Sequence, residues 1–240
     1  MQNRFVQNVS LVNPSDHKYR SWCRERRERI SDDRPRDPFA QDYYAELMRW
    51  EAVIQRVLGI GLPGAIEERI LVYQSQHRPG RQTPGYLEID HVLGSPTAPE
   101  LFVEIKIREL SEKGKSGWPQ LERSLGIART RWPGVKGVCV NVAIGDVLNI
   151  EPNCVFPTVT PQELPVTIQG TCQNDGTTIW MRGLDVAAFA LSETLLTVEQ
   201  IRQLPALRQA MLNPVGTLKS VDTQSEESRP GLFDQFRRSG

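Results

Sequence analysis

Asp90 and Glu104 are separated by 13 residues, and Lys106 follows Glu104 by two, within Tyr86-Leu-Glu-Ile-Asp-His-Val-Leu93 and Leu101-Phe-Val-Glu-Ile-Lys-Ile-Arg108. Both segments read as strands, joined by Gly-Ser-Pro-Thr-Ala-Pro-Glu. If that connection folds back symmetrically about Thr97, Asp90 lies opposite Glu104 and Glu88 opposite Lys106. Directly opposed residues of an antiparallel pair share a face. Side-chain alternation then puts Glu88, Asp90, Glu104, Lys106 and Arg108 on one face with Tyr86, Val92 and Phe102. Leu87, Ile89, His91, Leu93, Leu101, Val103, Ile105 and Ile107 take the other. Carboxylates facing one another need solvent or a cation between them. Mg2+ meets that need, since it takes oxygen ligands, keeps several waters and binds through one or two carboxylates plus substrate phosphate. It can lower the pKa of a bound water, while a nearby ammonium orients the attacking oxygen or stabilises charge on a phosphate. These are the parts of phosphodiester hydrolysis.

The elements that must position these groups follow from periodicity. Phe39, Tyr43, Leu47, Trp50, Ile54, Val57 and Leu58 recur at the three- and four-residue spacing of an amphipathic helix, which ends at Gly59, Gly61 and Pro63. Three strand-like runs follow at 69–76, 86–93 and 101–108, then a helix over 119–131 and a buried strand over 135–143. Helix, three strands, helix, strand implies an α/β fold with a mixed central sheet covered on both faces.

An Asp, a variable gap and Glu-x-Lys at the end of an apolar strand resembles the PD-(D/E)xK nuclease superfamily, and the likeness spans about residues 39–143. Ile89 stands where the Pro of that motif would be. The resemblance implies a restriction-endonuclease-like core and a Mg2+- or Mn2+-dependent endonuclease acting on DNA. It implies that Asp90 and Glu104 bind the metal, that Ile105 adds a main-chain carbonyl ligand, and that Lys106 acts at the water or phosphate. Many members add a glutamate from the first helix; Glu46 and Glu51 both border its apolar stripe, and Glu46 is taken as the fourth residue. Gln120 lies where exonuclease-like members place a Gln, with Ser124 where their Tyr would be.

The chain has 240 residues, 29 Lys plus Arg against 29 Asp plus Glu, and 39% apolar side chains. A core of that length buries roughly 70% of the surface its unfolded chain exposes, without disulfide or metal. Zero net charge argues against a generic nucleic-acid coat, but the charge is uneven. Residues 18–36 carry eight basic and four acidic side chains, residues 106–136 eight and three, and residues 137–200 only Arg182 against seven acids. The two basic tracts could face a polyanion. Cys23, Cys139, Cys154 and Cys172 lack the close pairs of zinc modules and read as buried thiols. No apolar run approaches the ~20 residues of a membrane span, and no leader pattern is present, so a cytoplasmic protein without membrane contact is the expectation.

Four divisions follow: a polar Arg-rich segment 1–37 with a short helix over 24–29, a nuclease-like core 38–146, a C-terminal α+β appendage 147–212, and a disordered tail 213–240. Within the appendage, residues 166–172 and 177–182 read as a hairpin. A final helix begins at Thr197 with Gln200 as its capping-box partner. Lys113, Lys115, Arg78, Arg81 and Gln120 are the candidate nucleic-acid contacts. His91 falls on the apolar face as a core histidine, and His77 in a solvated loop. In the tail, Leu232, Phe233 and Phe236 form an isolated apolar cluster of the kind that docks on a protein partner. Leu232-Phe233-Asp234 is similar to the end of peptides that dock on bacterial sliding clamps. Neither a groove-reading helix nor a stacking-aromatic platform is recognisable, so recognition is left to the appendage, a second copy or a partner. A catalytically inactive nuclease-fold module in a DNA-processing or transposition complex is the alternative.

Overall fold

The computed structural model describes residues 5–31, 38–62, 64–78, 81–110, 117–150, 156–171 and 176–212. The chain runs β1 (Phe5–Val12), α1 (His17–Ser31), α2 (Pro38–Gly61), β2 (Ala65–Ile66), β3 (Ile70–Arg78), β4 (Arg81–Glu88), β5 (His91–Ser95) and β6 (Ala98–Arg108). It continues through α3 (Trp118–Ala128), β7 (Lys136–Ala143), α4 (Leu164–Thr171), β8 (Thr177–Arg182), α5 (Gly183–Ser192) and α6 (Val198–Leu212). The strands form two sheets, β1-β3-β4 and β2-β5-β6-β7-β8. The larger is mixed: β5 and β6 are antiparallel, while β6, β7 and β8 run parallel.

The larger sheet is covered on both faces, as the periodicity requires. On one face α2 lays down the stripe Tyr43, Leu47, Trp50, Ile54, Val57 and Leu58 against Leu101, Val103, Ile105, Val138 and Val140. Each large side chain removed from water in this way contributes roughly 1.5–3 kcal/mol. On the other face Leu121, Leu125 and Ala128 of α3 share a core with Phe102, Cys139, Val9 and Leu71, so the smaller sheet packs there too. β7 is buried along nearly its whole length because both of its faces are covered.

The N-terminal segment differs from its sequence reading. Residues 5–12 form a strand that pairs with β3, and the helix begins at His17. The strand is hard to see in the sequence because its apolar positions, Val9 and Leu11, lie among polar residues and a bulge interrupts the pairing at Gln7 to Ser10. The appendage is also corrected. Residues 164–171 are helical rather than half of a hairpin, and β8 extends the main sheet beside β7. Leu164, Ile168, Met181, Val186 and Leu204 belong to the α2 core. Glu109, just past β6, accepts hydrogen bonds from Tyr43 Oη at 2.8 Å and Arg208 Nη2 at 2.9 Å, tying α2 to α6. The capping box is present: Thr197 N–H donates to Gln200 Oε1 at 2.8 Å, and Gln200 N–H to Thr197 Oγ1 at 3.2 Å. Among the described residues no helix is long and apolar enough to cross a membrane.

Candidate active site

The segment read as one strand over 86–93 is two strands in two sheets. β4 pairs with β3 down to Ile70↔Glu88, and β5 begins at His91, opposite Val103 of β6. Between them Ile89 N–H still bonds to Arg69 O at 2.9 Å. Asp90 therefore sits where the chain leaves one sheet for the other. The sorting of faces changes there. Leu87 and Ile89 join Val92 and Phe102 in the α3-side core, whereas Leu93, Leu101, Val103, Ile105 and Ile107 face α2. The opposition of Glu88 and Lys106 is likewise corrected, since Glu88 pairs with Ile70 in the other sheet.

The β5–β6 register keeps Asp90 next in line for Glu104. The turn itself is short, with Ser95 opposite Ala98, and a bulge after Leu93 restores the alignment of Leu93 with Leu101 and His91 with Val103. Gly94 makes the bulge possible: its φ is +108°, and a Cβ there would lie 2.7 Å from Ala98 O and 2.8 Å from Glu100 N. Where the ladder ends, the Asp90 side chain takes over. Ile105 N–H donates to Asp90 Oδ2 at 2.6 Å. The N–H and C=O of one strand residue point to the same edge, so the Ile105 carbonyl faces the side on which Asp90 sits.

Glu104 is wholly buried, its Oε1 contacts Lys106 Nζ, and its Oε2 has no hydrogen-bond partner. Burial, then the charge of Asp90, pushes its carboxyl up to about 8. Asp90 is raised by burial as well, against the pull of Lys106 and the Ile105 N–H. For Lys106, burial alone would depress the ammonium, but Glu104, Asp90 and Glu51 outweigh it and the net shift is upward. Cys139, opposite Glu104 on β7, is pushed up to about 11 by burial and then by Glu104. Gly117, capping α3, closes on this group: a Cβ there would lie 2.7 Å from Lys106 Cγ, 3.0 Å from Cys139 Sγ and 3.1 Å from Glu104 Cγ.

The helix glutamate in electrostatic contact with these residues is Glu51. Burial, then Asp90, raises it to about 7, with Lys106 opposing. Glu46 is buried and contacts Arg49 one turn on, leaving Oε1 without a partner, and among the described residues no interaction ties it to Asp90, Glu104 or Lys106. Both residues border the apolar stripe, so helical phase could not separate them. Arg69 escapes the sequence reading. It bonds Glu88 at 2.7 Å and draws Asp90 and Glu51 downward. Its signal, a lone Arg ahead of a strand, is invisible until β3 and β4 pair. Asn141, opposite Lys106 on β7, is also fully buried, with Oδ1 unpartnered.

The remaining candidates are dispersed. Gln120 is exposed in the first turn of α3, and its carbonyl accepts a bond from Ser124 Oγ at 3.2 Å. Arg78 and Arg81 pair at the far end of the β3–β4 hairpin, away from Glu88. His91 is half-buried with Nε2 unpartnered, and burial followed by Arg69 depresses it. Lys113, Lys115 and the cluster Leu232, Phe233 and Phe236 lie outside the described residues. Among the described residues, no group of three or more His, Cys, Asp or Glu side chains is placed to hold a metal ion. The oxygens that could serve a cation are Glu104 Oε2, the Asp90 carboxylate and the Ile105 carbonyl. No protein-family model, no curated protein and no solved structure matches the chain.

Proposed function

We propose that the chain is a metal-dependent endonuclease that hydrolyses DNA phosphodiesters through Asp90, Glu104 and Lys106, on a restriction-endonuclease-like core. Glu51 replaces Glu46 as the helix carboxylate. One observation carries the reading: Glu104 is wholly buried, mutually repelled by Asp90, and has an oxygen with no partner. Such a group is costly to keep unless a cation arrives.

The donors fit Mg2+ or Mn2+, which need only one or two carboxylates when waters and a phosphate oxygen complete the shell. When bound, such an ion lowers the pKa of a water and offsets charge on the phosphate. The chain's own residues do the rest. The Ile105 N–H holds Asp90 at a fixed place beside β6. Lys106, shifted upward, stays protonated at neutral pH and acts as a donor to the phosphate or attacking oxygen, not as a base. Glu51, at about 7, is suited to take a proton from the attacking water. DNA is preferred to RNA on the resemblance to the nuclease superfamily alone.

One observation favours a second reading, a non-catalytic subunit of a nucleic-acid assembly. The Lys106 ammonium already contacts Glu104 and can serve as its resident cation. Supercoiled plasmid incubated with Mg2+ or Mn2+ separates the two. Nicking by the wild-type chain that Lys106→Ala loses supports the enzyme. Equal nicking by both, or none by either, defeats it.

A further inference from the structure

We infer that α1 and β4 form a stacking surface for unpaired bases, so that the strand delivered to the carboxylates is single-stranded or locally opened nucleic acid. The inference rests on the reading that those carboxylates take a phosphodiester, and the test below separates the two.

Tyr19 and Trp22 of α1 meet Tyr86 of β4, far away in sequence. Ring centroids are 5.1 Å apart for Trp22 and Tyr86, 5.8 Å for Tyr19 and Tyr86, and 6.3 Å for Tyr19 and Trp22. All three residues are partly exposed. The Arg26 guanidinium lies over Trp22, 5.1 Å from its centroid. Tyr19, Trp22 and Arg26 fall on one helical stripe, and Arg20 and Arg24 flank it, exposed. The helix as a whole carries six basic residues against two acidic ones over His17–Ser31. Chain segments distant in sequence thus supply a platform that no local pattern could reveal.

The platform adjoins the candidate active site. Tyr19 Oη donates to Glu88 Oε2 at 3.1 Å, and Glu88 is held by Arg69, which acts on Asp90 and Glu51. Tyr86 and Asp90 are four residues apart, so their Cα atoms are separated by at most about 14 Å. That distance lies within the reach of one bound strand, since single-strand sites run to about 4–16 nucleotides. Aromatic faces flanked by Arg are how proteins hold single strands without reading sequence: bases stack on the rings while cations follow the phosphates. A stacked base pair inside a duplex cannot present its faces in this way. The charge and ring content together favour a polyanion with free bases over a protein partner.

The test is fluorescence anisotropy of the full chain in EDTA, with a labelled oligothymidylate of about 20 nucleotides and a blunt duplex of similar length. Trp22→Ala should weaken oligothymidylate binding roughly tenfold, Trp22→Phe should retain most of it, and duplex binding should change less than about twofold. If Trp22→Ala does not fold, the exposed pair Arg20→Ala with Arg24→Ala decides. It should lower the salt dependence of oligothymidylate binding by a slope of about 1.4. Equal binding by wild type and Trp22→Ala, parallel loss on both probes, or no oligothymidylate binding at all overturns the inference. The last is also what a protein-docking surface would give. Oligothymidylate binding without plasmid nicking leaves the platform and removes the cleavage. Nicking with binding indifferent to Trp22→Ala does the reverse.

Discussion

The Asp90 carboxylate accepts the main-chain N–H of Ile105 at 2.6 Å, in the place where the β5–β6 ladder would otherwise continue. A side chain thus stands in for a backbone partner just where the chain passes from the small sheet to the large one. Asp90 is thereby tied to the strand that carries Glu104 and Lys106, and the repulsion between the carboxylates cannot relax by swinging Asp90 away.

Replacing Asp90 should separate that structural bond from the chemistry. Asp90→Asn keeps an oxygen for the Ile105 N–H and removes a charge that Glu104 and Glu51 resist, so its melting temperature without metal should equal or exceed wild type. Asp90→Ala leaves the N–H without a partner and should cost about 1–3 kcal/mol, several degrees of melting temperature. Both should lose plasmid nicking by a hundredfold or more, on the order of removing a group that acts in the transition state. Calorimetric melts of the two variants check the order; Asn melting below Ala would contradict it.

Stability should fall as pH rises through the neutral range. Glu104 is raised from 4.5 to about 8 and Glu51 from 4.5 to about 7, so the folded chain holds more protons than the unfolded chain inside those windows. Below 4.5 both states are protonated and no penalty exists; above about 8 the loss is complete. A tenfold change in proton affinity is worth about 1.4 kcal/mol, so the two raised carboxylates together set a ceiling of roughly 8 kcal/mol on the fall. Lys106, also raised, works in the same sense but adds to the fall only above its ordinary 10.5. Urea melts at about pH 5, 6.5 and 8 read this out. Saturating Mg2+ should flatten the fall, because a bound cation stabilises the ionised carboxylates.

Lys106 contributes to folding as well as to the proposed reaction. Lys106→Met strands Glu104 in the core without its ion partner and should destabilise by about 3 kcal/mol, the lower end for a broken buried pair because Lys106 is partly exposed. Adding Glu104→Gln should recover much of that loss. A double-mutant cycle by urea melts gives the coupling, and additive single losses would show that the contact is energetically idle.

Gly117→Ala tests the closure of α3 on the site. Its Cβ would fall within 3.1 Å of Lys106, Cys139 and Glu104, so the helix start must shift outward. A loss of about 1–3 kcal/mol is expected for overpacking, with nicking reduced in addition. The backbone there, φ −67°, is open to any residue, so an Ala variant as stable and active as wild type would contradict the close packing.

What is legible in the sequence are the features with a strong local period. The α2 stripe, the buried strand β7, the register that aligns Asp90 with Glu104, and the Thr197–Gln200 box all follow from neighbours in sequence. What is not legible depends on pairings between distant segments. The break at Ile89 and Asp90 is invisible because both halves have strand-like composition, and only the competition between β3 and β6 for partners divides them. β8 reads as half of a hairpin because the Asn174-Asp175-Gly176 turn signal is local, whereas its true parallel partner, β7, lies well back along the chain. The choice between Glu46 and Glu51 turns on which side of α2 comes within electrostatic reach of Asp90 and Lys106, which a helical wheel does not encode.

The central claim is that Asp90, Glu104, Lys106 and Glu51 together cut phosphodiesters, and the rate of Mg2+-dependent plasmid nicking by Glu51→Gln beside Glu46→Gln tests it most directly. Wild type and Glu46→Gln should nick at similar rates while Glu51→Gln falls by a hundredfold or more. No nicking by the wild-type chain, or full activity in Glu51→Gln with loss in Glu46→Gln, would contradict it.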